Sequence, residues 1–184
     1  MAHRLREAMR SGDLGVPFGS GGGIVEIDET YVDGKTTRKN WKAKTPMLTL
    51  IDRDTGRSKS FVVKRATKAN ILPIIRENLA EEARVITDES TLYQKLDHEY
   101  MHALVTHSKG QYGLGEIHTN TVEGYYSVFK KGMRGVYQHC GKKHLHRYAA
   151  EFDFRYSNRE ANGFTDMERT EAALQGIVGK RLTY

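Results

Sequence analysis

Three short runs rich in β-branched and apolar residues constrain the fold of this chain more than any other feature. They cover residues 24–32, 47–51 and 60–63. The turn over 52–56 ends in glycine and joins the second run to the third, which predicts an antiparallel hairpin. Later patterns predict a helix starting near Asn70, a strand over 84–87, a short helix over 90–98, a strand over 102–106, and helices over 119–133 and 142–158. This order favours an α/β fold, in which three antiparallel strands and then β-α-β units form a mixed sheet covered by helices.

The first long helix in this scheme contains a proline. Apolar residues recur at helical spacing from Ile71 to Leu79. We expect Asn70 to cap this helix, because Pro73 then lies in the first turn, where no backbone donor is required.

A glycine-rich stretch over 19–23 is the clearest boundary in the chain. We expect it to be a flexible linker that follows the end of a helix within residues 1–12. The predicted organisation is a helix remnant with its linker over 1–22, a main domain over 23–160 and a tail over 161–184.

Composition excludes several classes of protein. No apolar run in the 184 residues approaches the roughly 18 that a membrane-spanning helix needs. The N-terminus lacks the apolar stretch of a signal peptide. A single cysteine, Cys140, excludes a disulfide scaffold or a cysteine-rich zinc module, and it suits the reducing cytoplasm.

Positive charge is concentrated in one segment. The net charge is +6, yet residues 35–68 alone hold eleven Lys and Arg against two acidic residues. The candidate contacts in this basic loop are Lys35, Arg38, Lys39, Trp41 and Lys42. A solvated loop explains such a run, and so does a surface that binds the DNA backbone with Trp41 stacking or packing; we favour DNA binding.

Three acidic residues occupy positions suited to catalysis. Asp28 lies within the first strand, Asp88 follows the short strand over 84–87, and Glu123 lies on a later helix. On that helix Asn120, Glu123 and Lys130 share one face. An ordinary amphipathic helix would give the same spacing. However, carboxylates held close together need a cation, and Mg²⁺ prefers oxygen ligands. Of the histidines, His118 is best placed to neighbour such a site.

Several motifs in this order resemble the ISXO-like DDE transposases of bacterial insertion sequences. They are Val25-Glu26-Ile27-Asp28-Glu29-Thr30-Tyr31-Val32, Ile86-Thr87-Asp88-Glu89 and the segment from His118 to Gly132. The segments 134–139, 143–148 and 151–156 also look like this family. The match runs from about Gly23 to Arg159, which is most of the chain.

The resemblance implies a ribonuclease-H-like fold and a DDE-type catalytic domain over 23–160. It implies that Asp28, Asp88 and Glu123 bind two Mg²⁺ ions, for which Mn²⁺ is a substitute. Members of this family cut the ends of the element with water and use the freed 3′-OH to attack target DNA. Asn120 competes with Glu123 as the third ligand, since some relatives use Asn.

The resemblance also bears on partners. Lys130 would hold DNA near the scissile phosphate, and we expect Lys131, Arg134 and His118 to contact DNA as well. The expected partners are transposon ends, target DNA and further copies of the chain in a homo-oligomer, without a membrane. The expected location is the cytoplasm, in association with the nucleoid.

One departure from the family weakens the expectation of autonomous transposition. Full-length members carry a large N-terminal region that recognises the ends of the element, and Met1–Arg10 resembles only its tail. We therefore expect a truncated or internally started copy. Two rival functions are a nuclease of the same fold without strand transfer, and an inactive remnant that only binds DNA or a full-length partner.

Overall fold

The computed structural model describes residues 2–10, 15–32, 44–105, 116–138 and 140–180. The strands are β1 (Ile24–Val32), β2 (Thr45–Asp52), β3 (Ser58–Val62), β4 (Arg84–Asp88) and β5 (Met101–Val105). The helices are α1 (Ala2–Met9), α2 (Lys68–Asn78), α3 (Asn120–Gly132), α4 (Leu145–Ser157) and α5 (Asp166–Gln175). Short 3₁₀ turns cover Gln94–His98, Lys142–His144 and Glu160–Asn162, and a π-helical turn, Met133–Tyr137, extends α3. Among these described helices none is long and apolar enough to cross a membrane.

The strands form one mixed sheet in the order β3-β2-β1-β4-β5. The pairs β1–β2 and β2–β3 are antiparallel, whereas β1–β4 and β4–β5 are parallel. The predicted mixed sheet is therefore confirmed. In the parallel pair Ile24 lies opposite Arg84 and Glu26 lies opposite Ile86. If this pairing continues for two more residues, Asp28 lies opposite Asp88. Adjacent strands of a sheet are about 4.8 Å apart.

Helices cover both faces of this sheet. One face packs against α2 and the Gln94–His98 turn, through a core that includes Ile27, Leu50 and Ile75. The other face packs against α3 and α4, through a core that includes Met47 and Phe129. Alternate residues of β1 serve the two cores, because successive side chains of a strand point to opposite faces.

Helix α2 begins earlier than the sequence predicts, and the expected cap at Asn70 is wrong. The carbonyl of Thr67 accepts the N–H groups of both Asn70 and Ile71 at 3.0 Å, so helical hydrogen bonding starts at Thr67. The side-chain amide of Asn70 instead donates to the carbonyl of Arg65 at 2.9 Å. Pro73 consequently lies inside the helix, on its exposed side.

The glycine-rich stretch is a packed turn, which corrects the expectation of a flexible linker. The N–H of Gly19 donates to Asp52 at 2.9 Å, and its carbonyl accepts the N–H of Gly23 at 3.0 Å. Gly19 has φ +73°, and a Cβ there would lie 2.4 Å from the Cβ of Ala83. Only glycine fits this combination of backbone angle and close approach.

Both ends of the described chain are helical. Helix α1 packs against α4 and α5. Helix α5 lies within the segment predicted to be a tail. It begins with a capping box, in which the side chains of Thr165 and Glu168 each accept a hydrogen bond from the other's backbone N–H group. The division into 1–22, 23–160 and 161–184 stays a prediction.

Candidate active site

Asp28 is the half-buried acid at the centre of the site. Its Oδ1 accepts the N–H of Glu29 at 2.8 Å. The pKa of Asp28 is raised from 3.8 to about 7, first by burial and then by the negative charges of Asp88, Glu29 and Glu123, while the hydrogen bond from the Glu29 N–H acts in the opposite direction. Asp88 and Glu123 therefore lie close enough to Asp28 to oppose its ionisation.

Each of the other two predicted acids accepts a hydrogen bond from a nearby residue in the chain. Asp88 ends β4, and its Oδ1 accepts the N–H of Ser90 at 3.0 Å. Glu123 is exposed in the first turn of α3, and its Oε1 accepts the hydroxyl of Thr119 at 2.9 Å. Within the described residues no three His, Cys, Asp or Glu side chains are already arranged around one metal position. The carboxylates of Asp88 and Glu123 thus act on the pKa of Asp28, but the three groups are not already arranged as a metal site.

Asn120, the predicted competitor of Glu123, is the first residue of α3. It is exposed and lines a groove between α3 and α4, together with Gly124, Val128 and Tyr156. Glu123, in contrast, acts on the pKa of Asp28.

Tyr126 ties α3 to the strand that carries Asp28. Its hydroxyl donates to the backbone carbonyl of Asp28 at 2.6 Å and lies 3.4 Å from that of Met47. Burial, followed by the negative charge of Asp28, raises the pKa of Tyr126 well above its usual value, so the phenol remains a donor. Val122 and Phe129 of the same helix are also buried, and nothing in the sequence singles out Tyr126 among such core residues.

A second fixed contact lies at the start of α3, and sequence analysis missed it. Glu26 is fully buried, two residues before Asp28 and on the same face of β1. Its Oε1 is 2.5 Å from Nε of Arg53, and its Oε2 accepts the N–H of Val122 at 2.9 Å. A second acid two residues before Asp28, and so on the same face of the strand, is the signal that could have revealed it.

His118 belongs to this same network. Its Nδ1 lies 2.8 Å from Arg53. The same nitrogen lies 3.4 Å from Oε1 of Glu26. His118 is therefore held by Arg53 just before the start of α3.

Glu29 brings a fourth carboxylate close to the site from the other face of β1. The buried hydroxyl of Tyr93 donates to it. Burial, opposed by that hydrogen bond and reinforced by the charge of Asp88, raises the pKa of Glu29. The sequence motif contains Glu29, but its spacing gave no reason to assign it a role.

Only some of the residues predicted to contact DNA lie within the described part of the chain. Lys130, Lys131 and Arg134 line one surface groove with Ser127 at the end of α3. The Lys130 ammonium lies 5.8 Å from the centre of the Tyr126 ring. Lys35, Arg38, Lys39, Trp41 and Lys42 lie outside the described residues.

Comparison with solved structures identifies the fold. The chain is similar to the catalytic core domain of BIV integrase, with a TM-score of 0.50 and 13% identity over 84% of this chain and 95% of that one. That core has a ribonuclease-H-like fold. The predicted fold is therefore confirmed.

Two curated relatives come from bacterial or archaeal genomes. An uncharacterized protein in transposable element ISH50 of Halobacterium salinarum is 30% identical over an alignment of 156 residues, and the match covers 72% of this chain and 52% of the relative. The chain thus spans about half the length of that relative. An uncharacterized transposase-like protein of Haemophilus influenzae is 31% identical over an alignment of 104 residues, and the match covers 55% of this chain and 81% of the relative.

The family itself is identified by a match over most of the sheet and its helices. Residues 21–157 match the ISXO2-like transposase domain. This range includes all three predicted acids and the strands and helix that carry them. The chain therefore belongs to the ISXO2-like transposase domain family.

Proposed function

We propose that this domain cleaves DNA phosphodiester bonds with divalent metal ions and then joins the freed 3′ end to target DNA. The observation that carries the proposal is the environment of Asp28. Its pKa is raised to about 7 by burial and by three nearby carboxylates, Asp88, Glu29 and Glu123. A cation that offsets this repulsion is the usual reason for gathering such groups.

The side chains present fit Mg²⁺, with Mn²⁺ as a substitute. Asp28, Asp88 and Glu123 offer only carboxylate oxygens, the donors that these ions prefer. Two ions at such a site would activate the attacking oxygen and stabilise the leaving oxygen of a phosphodiester.

The chain's own residues would hold the ligands and the substrate. Tyr126 fixes the backbone of Asp28, and Ser90 orients Asp88 through its N–H group. Lys130, Lys131 and Arg134 would neutralise backbone phosphates along their shared groove, which begins one turn after Glu123.

We extend the proposal to partners and place of action by the chemistry of the substrate. The DNA partners would be transposon ends and a target duplex, handled by more than one copy of the chain. Because the substrate is chromosomal DNA, the domain would act in the cytoplasm, at the nucleoid. Membership of a transposase family supports this assignment.

Purified protein incubated with end-labelled duplex DNA and MgCl₂ or MnCl₂ tests the proposal, with the Asp28→Asn variant as the inactive control. Metal-dependent joined products are the expected result. Nicks without joining would point to the nuclease. Binding without cleavage under every metal condition would point to the remnant that only binds DNA.

A further inference from the structure

The ion pair between Glu26 and Arg53 is buried beside the proposed metal ligands. The side chain of Glu26 is 0% exposed and that of Arg53 is 14% exposed. Such pairs contribute little net stability, because removing two charges from water opposes their attraction. We therefore look for a role of this ion pair other than stabilising the fold.

The pair makes a set of directed contacts to the chain that enters α3. Beyond its bond to Glu26, Arg53 donates to the carbonyl of Glu116 at 2.5 Å and to that of His118 at 2.6 Å. Glu26 uses its second oxygen for the N–H of Val122. That N–H is one of the four at a helix start that lack an intrahelical partner, and a carboxylate there also suits the helix dipole. Together these bonds fix where α3 begins.

Fixing the start of α3 also fixes Glu123 relative to Asp28. Helix α3 runs beside β1 with two anchors, Val122 to Glu26 and Tyr126 to Asp28. Two strand residues advance about 6.6 Å and four helix residues about 6 Å, so the anchors are matched in length. Glu123 follows directly after the first anchor. A shift of the helix start would move Glu123 away from the other carboxylates.

We propose that Glu26 and Arg53 are positioning residues that keep Glu123 beside Asp28 and Asp88, within reach of a metal ion that would draw the three carboxylates together. The proposal rests on the function proposed above, since it assigns these carboxylates to a metal. Neither residue needs to touch the metal or DNA for this role.

A charge-neutral double variant tests the role without leaving an unpaired buried charge. Glu26→Gln with Arg53→Met removes both charges, and we expect it to fold with a melting temperature within a few degrees of wild type. The matched control is Arg6→Met with Glu151→Gln, which removes another buried pair, 2.7 Å long and joining α1 to α4. Arg53→Lys keeps the positive charge but lacks the several N–H donors of the planar guanidinium group.

Two measurements separate positioning from general stability. Mn²⁺ binding to the DNA-free protein, followed by calorimetry, should weaken by roughly 10- to 100-fold in the Glu26/Arg53 double variant. It should weaken less in Arg53→Lys and stay unchanged in the Arg6/Glu151 control. Amide hydrogen exchange without metal should accelerate at Val122 and Glu123 in the same double variant alone.

Unchanged Mn²⁺ affinity and exchange in the Glu26/Arg53 variant would overturn the positioning role, and so would equal losses in both double variants. A failure of the proposed metal-dependent function would give a different result. In that case wild-type protein binds no Mn²⁺ that depends on Asp28, while exchange at Val122 still decides whether the ion pair orders α3.

Discussion

The hydroxyl of Tyr126 donates a hydrogen bond of 2.6 Å to the backbone carbonyl of Asp28. This bond joins two residues that lie 98 positions apart in the chain. It connects the strand that carries the first proposed ligand to the helix that carries the third. The separation of Asp28 and Glu123 therefore depends on a contact that neither side chain makes itself.

Replacing Tyr126 with Phe should lower DNA cleavage by roughly 10-fold, because the helix loses an anchor beside the proposed metal ligands. Stability should fall by about 1 kcal/mol. Tyr125→Phe is the matched control, since its hydroxyl donates to the buried Asp153 at 2.7 Å, away from the site. It should lose similar stability in urea unfolding and keep its cleavage rate. Equal losses of cleavage in both variants would contradict the role of Tyr126.

Glu123→Gln should reduce cleavage by roughly 100-fold, the size typical of removing one electrostatic stabiliser. Asn120→Ala should leave the rate within a few fold of wild type, because Asn120 faces the groove with Gly124 and Val128. Single-turnover cleavage with saturating metal measures both. The opposite ranking would make Asn120 the third ligand and remove Glu123 from that role.

The pKa of Asp28 makes the stability of the metal-free protein depend on pH. Because this pKa is raised from 3.8 to about 7, the folded state binds the proton more tightly than the unfolded state. The stabilising contribution is complete below pH 3.8 and is lost as the pH rises through about 7.

Asp28→Asn should therefore melt a few degrees above wild type at pH 8 without metal, at roughly 2–4 °C per kcal/mol. Millimolar MgCl₂ should raise the melting temperature of wild type at pH 8 and have little effect on Asp28→Asn. Glu77→Gln, an exposed change on α2, serves as control and should respond to MgCl₂ as wild type does. An equal response to MgCl₂ in Asp28→Asn would place the metal elsewhere.

Local patterns were enough to predict most of the sheet. The strand predicted over 24–32 is β1 to the residue, because its run of β-branched and apolar residues follows directly on the glycine-rich turn. Asp88 ends β4 as expected. The start of α2 was misplaced because Asn70 and Pro73 carry stronger local signals than Thr67, which makes no side-chain cap. Helix α5 was not predicted, although Thr165 followed three residues later by Glu168 is the sequence pattern of a capping box.

The contacts that position the site could not be predicted in this way. Glu26 bonds to Arg53 across 27 positions and to Val122 across 96, and no local periodicity links such residues. The acids themselves were recognisable because their chemistry is unusual in apolar strands. Their supporting residues look like ordinary members of a strand, a turn and a helix.

Lys131 and Arg134 should supply phosphate contacts. Changing both to Ala should lower the slope of log affinity against log salt by about 2, since each phosphate contact contributes about 0.9. Lys95→Ala is the control, because Lys95 lies in the 3₁₀ turn on the opposite face of the sheet from α3. Fluorescence anisotropy with a labelled duplex at several salt concentrations gives the slopes. An unchanged slope in the double variant would exclude this groove from DNA binding.

Two glycines of α3 should respond to alanine in opposite directions. A Cβ at Gly124 meets nothing within 4 Å, so Gly124→Ala should stabilise the helix by up to about 1 kcal/mol. A Cβ at Gly132 would lie 2.5 Å from Cζ of Phe152. That ring is held edge-on to Phe129 at 4.9 Å, so it cannot move aside freely.

Gly132→Ala should therefore destabilise the protein by about 1–3 kcal/mol, the usual result of overpacking a core. Equilibrium urea unfolding of both variants measures the difference. Destabilisation by Gly124→Ala would show that its groove is closed by a part of the chain or a second copy packed against α3. Stabilisation by Gly132→Ala would mean that α3 and α4 lie further apart at this end than the contact between Gly132 and Phe152 requires.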